Sequence, residues 1–497
     1  MAKKTINKEL TGAQDLYNFL FEACNIIRGP VSQDNFKDYI TPLLYYKRIS
    51  DVYDEETEEA LISSGGDKEY ASLPEQHRFV IPDGCHWQEV RERTENLGAA
   101  IVGAMRQIEI ANPDTLYGVL SMFSSQKWTN KAILNDSKIR DLIEHLSKRK
   151  LGNKDYPADL MGDAYEILLK KFADDSKAQA GEFYTPRSVV RLLVHILDPQ
   201  PGETVYDPAC GSGGMLIEAI RYMHDDSLCC GSIFGQEKNV VNAAIAKMNL
   251  FLHGASDFNV MQGDTLRDPK ILQGGNIAKF DCVIANPPFS LENWGATEWS
   301  SDKYKRNIYG TPSDSCGDYA WIQHMICSMS SGKGRMAVVM PQGILFRGNQ
   351  EAEIRKQLVE SDLIEAVVTL GDKLFYGTGL SPCFLIIRRM KPAHHSGRIL
   401  MIDGSKILTQ KRAQNILEEN DIDRLYSLYQ NYSDEEDYSR IVTLQEIRDK
   451  EYNLSPNRYV VYHKEEIRPY AEVLAEFKQA YADVKRLEKE FSLLINA

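Results

Sequence analysis

Thr204-Val-Tyr-Asp-Pro-Ala-Cys-Gly-Ser-Gly-Gly214 is the stretch that decides the fold class of this 497-residue chain. A short β-rich run (204–206) leads into a glycine turn, and a helix-length segment (214–224) follows. Strands that alternate with crossover helices indicate a mainly parallel, doubly wound sheet. We therefore predict an α/β domain with a seven-stranded sheet, whose last strand is antiparallel because residues 371–382 leave no room for a clear helix. The six further β-rich apolar runs are 232–236, 258–262, 281–285, 335–340, 363–370 and 383–388.

The segments on either side of this region have different patterns. Residues 1–175 carry helical apolar stripes and predict an all-helical N-terminal domain, followed by the α/β domain over 176–395. Residues 396–465 are predicted to be an extension of mixed structure, and 466–497 an amphipathic helix. The apolar seam of that helix suits a partner helix, and packing against its own domain is an equally open alternative. The seam consists of Leu474, Phe477, Tyr481, Val484, Leu487, Phe491 and Leu494.

Composition excludes several classes of protein. The chain is 43% hydrophobic and 26% charged, which is typical of folded domains and not of collagen-like or disordered chains. With 58 Lys+Arg against 71 Asp+Glu, the net charge of -13 argues against nucleic-acid binding over the whole surface. Nine scattered Cys without a C-x-x-C pair indicate neither a zinc site nor a disulfide framework. No segment resembles a membrane span or signal peptide, so we predict a cytoplasmic protein.

The glycine turn carries the first chemical signal. A glycine turn after the first strand lets a nucleotide-like ligand approach the backbone closely. It is not the dinucleotide fingerprint, because Leu216 stands where Gly or Ala is required and Asp207 lies in the turn. A carboxylate there would repel a pyrophosphate but would suit a cation or an amino group. S-adenosylmethionine has a sulfonium and an α-amino group and no phosphate.

Two further acids end the next two predicted strands. Glu237 follows the second strand and can accept hydrogen bonds from both ribose hydroxyls, although alone it would be read as an exposed strand-end residue. Asp264 ends the third strand and could receive an adenine amino group. An Asp that merely forms the Gly-Asp turn is an equally good interpretation of Asp264.

Asn286-Pro-Pro-Phe289 is the most informative motif. It follows the apolar run 281–285 and therefore lies at the carboxyl edge of the sheet, beside the glycine turn. The side-chain oxygen of Asn286 and the carbonyl of Pro287 could accept both hydrogens of one amino group, while Phe289 offers a face to a base swung out of its helix. A rigid turn after a strand is the alternative. Because Asn286–Phe289 follows the glycine turn, Glu237 and Asp264 in the chain, we favour the catalytic interpretation.

Basic and aromatic residues follow this motif closely. Interleaved residues of these two types beside a base site suggest a DNA-facing loop over 291–315, against the alternative of a solvated loop. The residues are Trp294, Trp299, Lys303, Tyr304, Lys305, Arg306 and Tyr309.

These motifs, in this order and spacing, resemble those of S-adenosylmethionine-dependent adenine-N6 DNA methyltransferases. Nearly the whole chain is similar to the modification (M) subunit of type I restriction–modification systems. Gly181-Glu-Phe-Tyr-Thr-Pro-Arg187 resembles the cofactor-binding segment of that class. Further matches are Gly317-Asp-Tyr-Ala320, Met340-Pro-Gln-Gly-Ile-Leu-Phe346, Leu374-Phe-Tyr-Gly-Thr-Gly379 and Tyr452-Asn-Leu-Ser-Pro-Asn-Arg-Tyr459. Cys210 stands where Ala is frequent, a substitution expected to be harmless.

The resemblance implies transfer of a methyl group from S-adenosylmethionine to N6 of a flipped adenine in double-stranded DNA. It also implies a separate specificity (S) subunit, because no stretch here looks like a recognition domain, and a second copy of this chain in the complex. Whether a restriction (R) subunit joins is open, and no metal is predicted. The catalytic residues would be Asn286, Pro287, Pro288 and Phe289. The cofactor residues would be Glu182, Phe183, Tyr184, Thr185, Pro186, Arg187, Asp207, Ser212, Gly213, Gly214, Glu237 and Asp264.

Three other functions are compatible with parts of the sequence. A protein glutamine-N5 methyltransferase would use the same Asn-Pro-Pro-aromatic turn, but the large helical domain and the long loop after Phe289 argue against it. A self-sufficient adenine DNA methyltransferase would need a basic C-terminal surface, and the acidic run 433–437 speaks against that. A non-catalytic assembly protein would not need Asn286, Pro287 and Phe289 intact.

Overall fold

The computed structural model describes residues 2–116, 118–120, 128–175, 185–223, 231–255, 257–375, 381–411, 414–463 and 470–495. The described N-terminal part, up to residue 175, is helical, as predicted. Its helices pack around a core that includes Leu16, Leu43, Ile101 and Leu142, all buried because they recur on one face of each helix. The helices are α1 (Ala2–Ile27), α2 (Lys37–Ser63), α3 (Lys68–Ala71), α4 (Trp87–Arg91), α5 (Leu97–Ala111), α6 (Pro113–Leu116), α7 (Asp136–Leu146) and α8 (Ala158–Asp175).

A mostly parallel sheet forms the centre of the remaining chain. The strands are β1 (Val205–Asp207), β2 (Ile233–Glu237), β3 (Phe258–Gln262), β4 (Leu272–Gln273), β5 (Asn276–Ile277), β6 (Cys282–Ala285), β7 (Arg335–Pro341), β8 (Ile364–Leu370), β9 (Pro382–Arg388), β10 (Arg398–Gly404) and β11 (Ser439–Thr443). The strand order of the sheet is β11-β10-β8-β9-β7-β6-β1-β2-β3, and β4 and β5 form a separate hairpin. The predicted antiparallel strand is confirmed, since β9 runs antiparallel to both β7 and β8.

Helices cover both faces of the sheet, which is why its central strands β6 and β7 are buried along their whole length. The helices of this part are α9 (Arg187–Leu197), α10 (Gly214–Met223), α11 (Val240–Leu252), α12 (Ala296–Ser300), α13 (Asp318–Ser328), α14 (Gln350–Glu360), α15 (Glu419–Asn431), α16 (Leu444–Asp449) and α17 (Tyr470–Ile495). One face of the sheet is covered by α9, α10 and α15, and the other by α13 and α14. Short 3-10 turns occupy Gln33–Asn35, Pro74–Gln76, Gln342–Leu345, Ala393–His395 and Pro456–Arg458.

The sheet is wider than the predicted region. All seven predicted strands form, and two more from the extension, β10 and β11, raise the number to nine in the main sheet of the described chain. Strand β10 pairs parallel with β8, and β11 pairs antiparallel with β10. The fully buried strand β8 therefore has a hydrogen-bonded neighbour on each side instead of an open edge.

The helical part packs directly on the α/β part. Phe251 of α11 belongs to the helical core and contacts the ring of Tyr45, with ring centroids 5.1 Å apart. Arg221 of α10 donates to Asp163 of α8 over 2.6 Å. The two parts thus share both apolar and ionic contacts.

Helix α17 leaves its apolar seam uncovered. Phe477, Tyr481, Val484, Leu487 and Phe491 are 51% to 65% exposed. The described structure therefore does not support the interpretation in which this helix packs against the chain's own domain. Within the described residues, we find no helix whose length and apolar content would suffice to cross a membrane.

Candidate active site

The predicted motifs meet at one edge of the sheet. Strands β3, β2, β1 and β6 are neighbours, and all four run parallel, so their carboxyl ends lie side by side. Asp207, Glu237, Asp264 and Asn286 are at or just beyond those ends. Ligands of open parallel sheets bind outside this edge. The structure thus brings together residues that lie up to 79 positions apart in the chain.

The glycine turn is a close-fitting loop between β1 and α10. Gly211 and Gly213 have φ values of +53° and +86°, a region that residues with a side chain rarely adopt. The N–H of Gly213 donates to the carbonyl of Cys210 over 2.7 Å, and Asn249 of α11 donates to the carbonyl of Ser212 over 2.7 Å. These contacts hold the loop in place.

Asp207 is a buried carboxylate in the described structure. It is 2% exposed, it accepts a hydrogen bond from the N–H of Ala209 over 2.9 Å, and no ion pair within the described ranges includes it. Burial, together with the nearby negative charge of Glu237, raises the pKa of Asp207 to about 8. A buried acid of this kind is stabilised in its charged form by a cationic ligand.

Glu237 and Asp264 both accept hydrogen bonds from the backbone. The Glu237 oxygens accept from the N–H of Gly211 over 2.9 Å and of Asn239 over 2.7 Å, and burial raises the pKa of Glu237. Asp264 Oδ1 accepts from two N–H groups of its own turn, and its Oδ2 lies 2.9 Å from Lys238 Nζ. The Asp264 contacts are those of a turn-forming Asp, so its adenine-binding role stays a prediction.

The described residues include only half of the predicted cofactor segment 182–187. Glu182, Phe183 and Tyr184 lie outside the described residues. Pro186 precedes the first residue of α9, and Thr185 Oγ1 accepts a hydrogen bond from Asn286 Nδ2 over 2.8 Å.

Arg187, the last residue of that segment, is directed toward carboxylates. Its guanidinium lies 3.6 to 3.9 Å from oxygens of Asp163, Glu166 and Glu218. Asp163 and Glu166 belong to α8, so Arg187 connects the helical part with the start of α9. Its predicted contact with a cofactor stays a prediction.

We call residues 286–289 the NPPF turn. Because Asn286 Nδ2 donates to Thr185, the amide is oriented with its oxygen on the other side. That oxygen, Oδ1, is buried and has no hydrogen-bond partner in the described part of the chain. A buried acceptor without a partner is unfavourable, and an amino group placed there would satisfy it. Pro287 is buried, Pro288 is exposed, and Phe289 is half-buried with its ring centroid 6.3 Å from that of Phe375.

The loop after the NPPF turn corrects a prediction. Trp294, Trp299 and Arg306 are each only 2% exposed, so the expectation that they face DNA is wrong. Arg306 donates to the carbonyls of Thr265 and Leu266, and its guanidinium lies 4.5 Å from the Trp299 ring. Both tryptophans belong to a small core that the loop shares with neighbouring segments, which spacing alone could not reveal. The lysines of this loop, Lys303 and Lys305, are exposed.

Sequence reasoning missed three residues of this site. They are Phe375, whose ring lies beside Phe289, and Asp318 and Arg347, which both contact Ser290 directly after the NPPF turn. The available signals were the Gly-Asp pair at the start of a helix and an Arg after the motif that ends at Phe346. Neither indicates a role before the chain is folded.

Comparison with known proteins agrees with this geometry. Residues 156–467 match the N-6 DNA Methylase family, and residues 16–146 match the HsdM N-terminal domain. The MjaVII type I restriction enzyme methylase subunit of Methanocaldococcus jannaschii is 35% identical over 90% of this chain and 78% of its own. The HindI methylase subunit of Haemophilus influenzae is 31% identical over 76% of this chain and 84% of its own. A type I restriction-modification methyltransferase subunit from Streptococcus thermophilus superimposes with a TM-score of 0.77 at 26% identity, covering 91% of this chain and all of that one.

The sheet order, the glycine turn and the NPPF turn define a methyltransferase that acts on an amino nitrogen. More particularly, the chain belongs to the N-6 DNA methylase family, among the methylase subunits of type I restriction enzymes, and is an adenine-specific DNA methyltransferase. These relatives favour that function over a glutamine methyltransferase or a self-sufficient DNA methyltransferase.

Proposed function

We propose that the chain transfers a methyl group from S-adenosylmethionine to N6 of an adenine extruded from double-stranded DNA, at sites chosen by a separate specificity subunit. The observation that carries this proposal is the buried Oδ1 of Asn286, which is oriented by Thr185 and has no partner within the described residues. An amino group is the natural donor for this oxygen. The rigid prolines beside it hold the acceptor in one place.

The residues at the sheet edge fit S-adenosylmethionine. Asp207 is a buried acid without an ion pair among the described residues, and this cofactor carries a sulfonium and an ammonium group. The open side of the glycine turn at Ser212, Gly213 and Gly214 suits its methionine part, and Glu237 suits its ribose. When bound, the cofactor supplies an electrophilic methyl group. Asp264 and the segment 182–187 are proposed to complete this site.

The chain's own residues then act mainly by positioning. Asn286 Oδ1 and the Pro287 carbonyl would accept the two hydrogens of the adenine amine, which points its nitrogen lone pair toward the methyl group. Pro288 keeps the turn rigid, and Phe289 provides a face on which the extruded base stacks. Holding two reactants in line removes much of the entropic barrier to their reaction, so positioning alone can account for a large rate acceleration.

The proposed partners follow from the surface and the relatives. The exposed apolar seam of α17 suits helices of a specificity subunit, and the net charge of -13 leaves sequence choice to a partner that is better suited to DNA. We also propose a second copy of this chain in the complex and a cytoplasmic location. A restriction subunit would join the same assembly where the system includes one.

Labelled S-adenosylmethionine and unmodified genomic DNA provide the test. The chain is assayed alone and with its co-purified specificity subunit, Asn286→Ala is the control variant, and the product nucleosides are separated. We expect label in N6-methyladenine only with the partner and only with Asn286 present. Equal labelling without a partner would contradict the subunit role, and label in protein instead of DNA would contradict the substrate.

A further inference from the structure

We infer that Asp318 and Arg347 are positioning residues for methyl transfer: they fix the backbone that leaves the NPPF turn and, through it, Asn286 and Phe289. This inference rests on the proposed function. It concerns residues that make no contact with the glycine turn in the hydrogen bonds and ion pairs described for them.

The backbone needs such support at Ser290. This residue has φ +51°, a left-handed conformation that is unfavourable for a residue with a side chain. Its N–H donates to Asp318 Oδ1 over 2.7 Å. The next residue, Leu291, accepts a hydrogen bond through its carbonyl from the N–H of Gly317 over 3.0 Å. Two bonds from the start of α13 thus hold the exit of the NPPF turn.

Asp318 is fully buried and therefore needs a cation beside it. Its second oxygen accepts a hydrogen bond from Arg347 Nη2, while Arg347 Nε donates to Glu351 over 2.7 Å. Arg347 Nη1 also lies 3.5 Å from Ser290 Oγ. The planar guanidinium, with several donors in a fixed geometry, connects both acids and Ser290 at once.

Two sequence motifs without an assigned role meet at this point. In residues 317–320, a Cβ at Gly317 would lie 2.9 Å from the Trp294 ring, and the Tyr319 hydroxyl donates to the Ile344 carbonyl over 2.8 Å. In residues 340–346, a Cβ at Gly343 would lie 3.1 Å from Arg347 Nε. Gly343 therefore leaves room for the Arg347 side chain, while Gly317 leaves room for the Trp294 ring beside Asp318.

A metal ion is the other occupant that this cluster could suggest. One donor atom from each of Cys316, Asp318 and Glu351 lies within 4.8 Å of the others. Arg347 already provides the positive charge between the two carboxylates, so the arrangement is that of an ion-paired support.

The test compares Arg347→Met and Arg347→Lys with a matched control, Arg335→Met. Arg335 pairs with Glu203, with both side chains 8% exposed, at the opposite end of β7. In the full chain with its specificity subunit, we measure kcat for DNA methylation, the Kd for S-adenosylmethionine and Tm. Arg347→Met should lower kcat about 100-fold and leave the cofactor Kd unchanged, because misplacement of a reacting group costs roughly that factor. Arg347→Lys should restore part of kcat, and Arg335→Met should lower Tm but keep kcat.

Wild-type kcat in Arg347→Met, or a loss of kcat in Arg335→Met as large as in Arg347→Met, would overturn the inference. Where Arg347→Met does not fold, Asp318→Asn replaces it, since this isosteric change keeps an acceptor for Ser290 but removes the charge that holds Arg347. Failure of the wild-type complex to methylate adenine would contradict the proposed function instead, so the two failures are distinguishable.

Discussion

The side-chain amide of Asn286 donates from Nδ2 to Oγ1 of Thr185 over 2.8 Å, although the two residues are 101 positions apart in the chain. Thr185 belongs to the segment expected to bind the cofactor, and Asn286 to the turn expected to bind the target amine. One hydrogen bond therefore connects the two halves of the site. It also leaves Oδ1 as the amide atom that has no partner within the described residues.

Loss of this bond should slow catalysis without preventing cofactor binding. Thr185→Val removes the acceptor, while Thr185→Ser keeps it. Because one hydrogen bond contributes about 1 kcal/mol, we expect kcat to fall about fivefold in Thr185→Val and to change little in Thr185→Ser. Single-turnover methylation with the specificity subunit measures this effect. Equal rates in the two variants would show that another contact orients Asn286.

The raised pKa of Asp207 should make the stability of the ligand-free chain depend on pH. Since the folded pKa of about 8 is above the ordinary value for Asp, the folded state holds a proton that the unfolded state has already released. This contribution to the free energy of unfolding should therefore fall as pH rises from about 4 to about 8. Asp207→Asn should remove that part of the slope in urea unfolding, and an unchanged slope would contradict the assignment.

A cationic ligand should reverse the effect at Asp207. S-adenosylmethionine should favour the carboxylate, so its binding below pH 8 should release a proton from Asp207. Calorimetry in buffers of different ionisation enthalpy would detect that proton. Asp207→Asn is the control, since it corrects for protons that the cofactor itself exchanges. Identical proton release in the variant and the wild type would refute this prediction.

In the loop after the NPPF turn, substitution of the buried Arg306 should change stability, whereas substitution of the exposed Lys303 and Lys305 should change DNA binding. Arg306→Met leaves the buried Asp302 without its ion-pair partner, which costs about 3–5 kcal/mol of stability and should lower Tm. The double variant Lys303→Gln/Lys305→Gln should keep Tm. If both lysines contact phosphates, it should reduce the slope of log K against log salt for DNA binding by about 2. An unchanged slope would place these lysines away from DNA.

The apolar seam of α17 should hold the specificity subunit. Phe477→Glu and Leu487→Glu place charges on the seam, and each side chain is more than half exposed, so Tm of the isolated chain should not change. Co-purification with the partner should be lost. Lys489→Glu, on the same helix, also alters charge but lies off the seam, and it should retain the partner. Retention of the partner by both seam variants would exclude this interface.

Local pattern was a good guide wherever burial follows from periodicity. All seven predicted strands form where the β-rich runs placed them, and the antiparallel β9 followed from the length of its link. The extension was less predictable. Strand β10 joins the sheet because β8 offers it an edge, β11 then pairs with β10, and nothing in residues 396–465 alone reveals the edge of β8.

The loop 291–315 shows where pattern fails. Basic and aromatic residues form the same sequence pattern whether they face DNA or, like Trp299 and Arg306, pack on each other. The burial of Arg306 depends on carbonyls of Thr265 and Leu266, which lie 41 and 40 positions away. The support of Ser290 by Asp318 and Arg347 is equally non-local, and it too became visible only in three dimensions.

Residue type and spacing are local properties, so the sequence alone was enough to predict the alternation of strands and helices and the order of the motifs. The motifs in turn indicated the chemistry that this sheet edge can perform. Tertiary structure alone decided which atom of Asn286 is left to accept a hydrogen bond, which loop residues are buried, and which side chains hold the NPPF turn in place. Those outcomes depend on contacts between distant segments, and a contact forms only where the folded backbone brings both partners within hydrogen-bond distance.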